Sequence, residues 1–94
     1  MRMSSIFTVL SLAGVITIAS AGGAFAQNCD RLWYERNAIY KNAGYCFKTA
    51  HAIQTFGNAG CRYDVEARVP LTHEQELRIA AIVREEQGLR CPSQ

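Results

Sequence analysis

The chain has no run of 20 apolar residues, no block of like charge and no closely spaced pair of cysteines. Each absence removes a class of function. The longest apolar run, Ile6 to Ala19, is 14 residues, short of the roughly 20 a membrane-spanning helix needs, and Gly22-Gly23 follow it as helix breakers. Of the chain's 10 Lys/Arg only Arg2 precedes residue 27, so nine stand beyond it against all 8 Asp/Glu, with the signs interleaved. That pattern leaves no electrostatic footprint for nucleic acid or an anionic membrane surface. Cys29, Cys46, Cys61 and Cys91 lack the short spacing of a zinc knuckle, and no Cys-x-x-Cys offers redox chemistry. His73-Glu74 has no second histidine four residues on, as a zinc-protease helix requires. No repeat or low-complexity linker is present, and neither a metal nor a cofactor is expected.

What is present begins with an export signal. Met1-Arg2-Met3 carries one side-chain charge, the apolar run follows, and Ala24-Phe25-Ala26 ahead of Gln27 has the small residues a signal peptidase accepts. Cleavage after Ala26 divides the chain into a signal peptide, residues 1–26, and a domain of 68 residues, 27–94. The weakly apolar stretch 19–26 keeps an uncleaved anchor as the alternative. Ala26-Gln27-Asn28 before Cys29 is not the Leu-rich box of a lipoprotein. Sixty-eight residues are too few for a large core, and a domain this small needs staples. Four cysteines in a small exported domain read as two structural disulfides, with zinc or free thiols as the competing readings.

Three helices fit the remaining pattern. Asp30 can cap the first, whose apolar positions are Leu32, Trp33, Ile39, Tyr40 and Ala43, and Gly44 stops it. Thr49 can cap a short second helix in which Ala52, Ile53 and Phe56 share a face, ended by Gly57. Residues 58–70 read as an irregular connection held by Cys61. Thr72 opens the third helix with Gln75 as its capping-box partner; Leu77, Ile79, Ala80, Ile82 and Val83 are its apolar positions and Gly88 its end. The expected fold class is a small all-α, three-helix domain. Four cysteines allow three pairings. Short links force neighbouring helices to reverse, which brings the start of the first helix to the end of the third and favours Cys46 with Cys61 and Cys29 with Cys91. Loops of that length make the two bonds worth about 3 and 4 kcal/mol on the loop-entropy model.

From Arg36 to Phe47 the chain reads Arg-Asn-Ala-Ile-Tyr-Lys-Asn-Ala-Gly-Tyr-Cys-Phe, and this run resembles the YARHG domain, an extracytoplasmic bacterial family. The family's Arg-Asn-x-Ile-Tyr lead-in is matched by Arg36, Asn37, Ile39 and Tyr40, its glycine by Gly44, and its Tyr-x-Phe by Tyr45 and Phe47. Phe56 resembles a later aromatic, and the family's Trp-Tyr pair is reduced to Arg62-Tyr63. The resemblance runs from about Leu32 to Val83. Lys41, Asn42 and Ala43 stand where the family has Ala, Arg and His, so that histidine's role is not carried here. The resemblance implies a periplasmic or secreted location and a helical fold, but no activity.

The residues with chemical potential are few. His51 and His73 lie in the first turns of the second and third helices and read as exposed helix-end residues. No base stands near a nucleophile in the sequence, and Asp64 with Glu66 reads as a charged loop rather than an acid/base pair. Trp33 and Tyr40, seven residues apart, should be buried together with Ile39 beside them. Trp33 and Tyr34 lie about 100° apart on a helix, so both cannot face one core. Tyr34 is therefore the exposed candidate, and Tyr34, Tyr45 and Arg36 are the candidate partner-binding residues. Arg36 and Asn37 should also hydrogen-bond the connection between Cys46 and Pro70. The function expected is a non-enzymatic interaction module, monomeric, binding an envelope protein or cell-wall component. An inhibitor of a periplasmic enzyme and a small hydrolase are the alternatives, the latter requiring a cleft that joins His51 or His73 to Asp64 or Glu66.

Overall fold

The computed structural model describes residues 19–93. The signal-peptide reading falls largely on residues 1–18, outside the described residues. Among the described residues there are three helices, α1 (Ala19–Asn42), α2 (Ala50–Phe56) and α3 (His73–Leu89), with a 3-10 turn at Glu66–Arg68. The all-α reading holds, and the only β pairing among these residues is an isolated parallel bridge between Tyr45 and Tyr63.

Helix α1 extends further back than its sequence suggests. Its described part starts at Ala19, so Gly22-Gly23 lie inside it and Asp30 is an interior residue rather than the N-cap. Ala19, Ala21, Ala24 and Ala26 have the highest helix propensity, which offsets two glycines at about 1 kcal/mol each. The other end is as expected. The Tyr45 N–H donates to the Tyr40 carbonyl and the Gly44 N–H to that of Lys41, the paired bonds of a Schellman cap. The Tyr40 and Tyr45 rings meet edge to face at 5.8 Å, supplying the apolar contact that accompanies this cap. Gly44 has φ 97°, and a Cβ there would lie 3.2 Å from the Tyr63 ring, so both the turn and the close approach require glycine.

Two threonines start the other helices. Thr49 accepts the Ala52 N–H, and Gly57 at φ 72° closes α2. Thr72 accepts the Gln75 N–H while the Gln75 side chain accepts the Thr72 N–H, a complete capping box. Helix α3 does not stop at Gly88. It runs to Leu89 and ends in a second Schellman cap with Arg90 in the left-handed region, φ 58°, and the Cys91 N–H on the Glu86 carbonyl. That cap turns Cys91 back toward α1.

The disulfides are Cys29–Cys91 and Cys46–Cys61, with Cα separations of 5.5 and 5.1 Å, the expected pairing. With Arg36 bonded to Glu86, the first disulfide shows α1 and α3 antiparallel. Leu32 and Ile82, one on each of these helices, are 0% exposed. Trp33, one residue on, joins Phe47 and Ala52 in a separate cluster flanked by half-buried Tyr40, Tyr45 and Phe56. Adjacent residues 100° apart thus let α1 serve two cores. Three apolar expectations fail for the same reason of narrow faces: on α2 Ala52 and Phe56 turn inward but Ile53 stays exposed, and on α3 Leu77 and Ala80 are exposed.

Arg36 and Asn37 do not bond the connection. Arg36 donates through Nε and Nη2 to both oxygens of Glu86 at 2.8 and 3.0 Å, because that carboxylate faces it across the antiparallel pair. Asn37 donates to the carbonyl of Trp33, one turn back in its own helix. The connection is instead held by Asn58, whose side chain accepts the Phe47 N–H at 2.7 Å and donates to the Phe47 carbonyl at 3.0 Å. Lys41 donates to the Gly57 carbonyl, and the Gly44 carbonyl accepts the N–H groups of Arg62 and Tyr63.

Candidate binding cleft between the first two helices

Asp30, Trp33 and Tyr34 stand at i, i+3 and i+4 on α1, so their side chains share one side of the helix. His51 and Thr55 stand at i, i+4 on α2. The two sets face each other and line an open cleft of about 260 Å³. Its floor is aromatic. The His51 imidazole lies over the Trp33 indole with ring centroids 4.1 Å apart and planes at 21°, and Tyr34 leans on Phe56 at 5.0 Å. Phe56 stacks in turn on Phe47 at 5.3 Å, which ties the cleft wall to the buried cluster.

The polar groups of the cleft are sparse. Thr55 donates its hydroxyl to the His51 carbonyl at 2.8 Å, so this hydroxyl is engaged with backbone. Among the described residues Asp30 has no ion-pair partner, whereas Glu35 one turn on accepts both Arg31 and Arg78 at 2.8 Å.

Of the three residues singled out for partner binding, Tyr34 is 53% exposed at the cleft. Tyr45 is half-buried, edge to face with Tyr40 and Phe47, and Arg36 is engaged by Glu86. His51 is exposed as expected yet also stacked on Trp33, while His73 is exposed at the start of α3. Neither Asp64 nor Glu66 lines the cleft with His51; Lys48 pairs with Asp64 at 3.5 Å, and Glu66 accepts the Tyr40 hydroxyl at 3.3 Å. Burial first, then the Glu66 carboxylate, raises the Tyr40 pKa above its ordinary value of 10.0. Asp30 and Thr55 are the cleft residues that sequence reading missed. The i, i+3, i+4 spacing of Asp30 with Trp33 and Tyr34 could have flagged the first; nothing in the sequence alone sets α2 against that side.

A family model described as the YARHG domain matches residues 15–87. No curated protein and no solved structure matches the chain. The two disulfides together with this domain point to an extracytoplasmic protein, and no helix among the described residues is long and apolar enough to cross a membrane.

Proposed function

Because the chain belongs to the YARHG domain family, we propose that it is a non-enzymatic interaction module that binds a component of the bacterial envelope, a protein or cell-wall material, through the cleft between α1 and α2. One observation carries this reading: Tyr34 remains 53% exposed beside stacked aromatics at the mouth of the cleft. Interface aromatics of this kind dominate binding energy where they are anchored on one side and open on the other. A non-enzymatic role is supported by the engagement of the Thr55 hydroxyl with a backbone carbonyl, which leaves His51 without an adjacent activated nucleophile. In the same reading signal peptidase cleaves after Ala26 and releases residues 27–94 into the periplasm or medium, as an intact-mass measurement on exported protein would establish.

The test is affinity capture from a periplasmic extract with the oxidised protein and its Tyr34→Ala variant. Removal of an exposed ring should change stability by less than about 1 kcal/mol and should remove the captured component. Capture that is equal for both proteins would rule out the cleft as the binding surface.

A further inference from the structure

We infer that the cleft is a receptor for one arginine side chain presented by a partner protein, an inference that rests on the binding role proposed above. Charge complementarity selects the occupant. Asp30 brings an exposed carboxylate with no ion-pair partner among the described residues, and it is the only Asp, Glu, Lys or Arg lining the cleft. The rings it presents are the exposed Tyr34 and the exposed His51 imidazole, which is stacked on the buried Trp33 indole beneath it. Ring faces attract cations, and an arginine stacks on them more readily than a lysine because its guanidinium is planar and weakly hydrated. The same plane presents paired N–H donors to a carboxylate.

Size points the same way. A volume of 260 Å³ lies below the roughly 300–1,000 Å³ of sites that enclose a whole small molecule, and suits a single side chain entering from outside. The carboxylate of Asp30 also disfavours anionic ligands. Glu35, the next carboxylate along α1, cannot serve, since Arg31 and Arg78 already occupy it.

The experiment titrates the isotopically labelled, oxidised full chain with an acetylated, amidated Gly-Gly-Arg-Gly-Gly peptide and follows backbone amide resonances. The expected result is saturable shifts at Tyr34, His51 and Thr55. The same peptide with neutral citrulline for arginine should bind roughly tenfold more weakly, the combined scale of an exposed cation–π contact and an exposed ion pair. Asp30→Asn removes only the ion pair and should weaken the arginine peptide by a smaller factor, roughly two- to fivefold, whereas Glu35→Gln should leave it unchanged. Equal binding of arginine and citrulline peptides, shifts centred elsewhere, or indifference to Asp30→Asn would each overturn the inference, as would tighter binding of a lysine peptide or of a neutral oligosaccharide. Those outcomes leave Tyr34-dependent capture intact; loss of Tyr34 dependence in the capture assay is the separate failure of the binding role itself.

Discussion

The two halves of this domain are built on opposite plans. The α1–α3 half is two antiparallel helices, each with one fully buried aliphatic residue, Leu32 and Ile82, joined by a bidentate Arg36–Glu86 pair and the Cys29–Cys91 disulfide. The other half, α2 with the connection that follows, has one short helix. It is held by aromatic packing, the Cys46–Cys61 disulfide and side-chain hydrogen bonds to backbone. Regular helices satisfy their own backbone groups; an irregular segment must have each satisfied individually. The second half therefore depends on single residues where the first depends on a seam. The cleft between α1 and α2 lies at the border, with one wall from each plan.

Core truncations test that contrast most strongly. Leu32→Ala and Trp33→Ala should cost about 2–5 and 3–5 kcal/mol respectively, read by chemical denaturation. Hydrogen exchange separates them: Leu32→Ala should lower protection throughout, while Trp33→Ala should release α2 and residues 58–70 and leave the α1–α3 amides comparatively protected. Equal loss of protection everywhere in both variants would mean that the domain is one cooperative unit and the two plans have no energetic counterpart.

The disulfides come next. Replacing Cys29 and Cys91 together by serine should destabilise by about 4 kcal/mol, and replacing Cys46 and Cys61 by about 3, since the separations are 62 and 15 residues and the loop-entropy cost grows only logarithmically. If the shorter bridge proves the more costly to remove, its worth lies in shaping the irregular half rather than in restricting the unfolded chain.

How the sequence revealed the two halves follows the same division. Caps are local chemistry, and Thr49, Thr72 with Gln75, Gly44 and Gly57 each act as their type and position imply. The disulfide pairing was also accessible, because short links between helices leave few ways to reverse direction. The partners of Arg36 and Asn37 are not legible in the sequence, because a side chain's partner depends on which neighbour faces it, and helical spacing does not specify the rotation of α3 against α1. Arg90 took the cap that Gly88 suggested, since the position of Cys91, not local propensity, decides where α3 must turn. The exposure of Tyr34 follows from the 100° step after Trp33. The cleft was not, because His51 enters it only once α2 has packed against α1.

A smaller effect is expected at Asn58, where one side chain satisfies both the N–H and the carbonyl of Phe47. Asn58→Ala leaves two part-buried backbone groups unpaired at a cost of about 1–3 kcal/mol, and Asn58→Asp should recover only the N–H bond, because a carboxylate cannot donate to the carbonyl. Equal denaturation midpoints for wild type and Asn58→Asp would show that the donated bond contributes nothing.

The smallest effect at neutral pH is expected at Tyr40, and it grows in alkali. Its hydroxyl donates to Glu66 at 3.3 Å, an exposed contact, so Tyr40→Phe should change stability little at pH 7. The folded protein holds the Tyr40 proton more tightly than the unfolded chain does, because burial and the Glu66 charge both disfavour the phenolate. For a group whose folded pKa is raised, the folded state binds more protons above the unfolded value. The contribution is then fully present below about pH 10 and is lost as pH rises from there through the folded value. Denaturation midpoints between pH 8 and pH 11 should thus fall more steeply for wild type than for Tyr40→Phe, and Glu66→Gln should reduce the fall only in part, since burial is the larger cause. Parallel curves for wild type and Tyr40→Phe would assign the alkaline loss to groups other than Tyr40, and would mean that the Schellman cap between Tyr40 and Tyr45 tolerates a charge at its apolar contact.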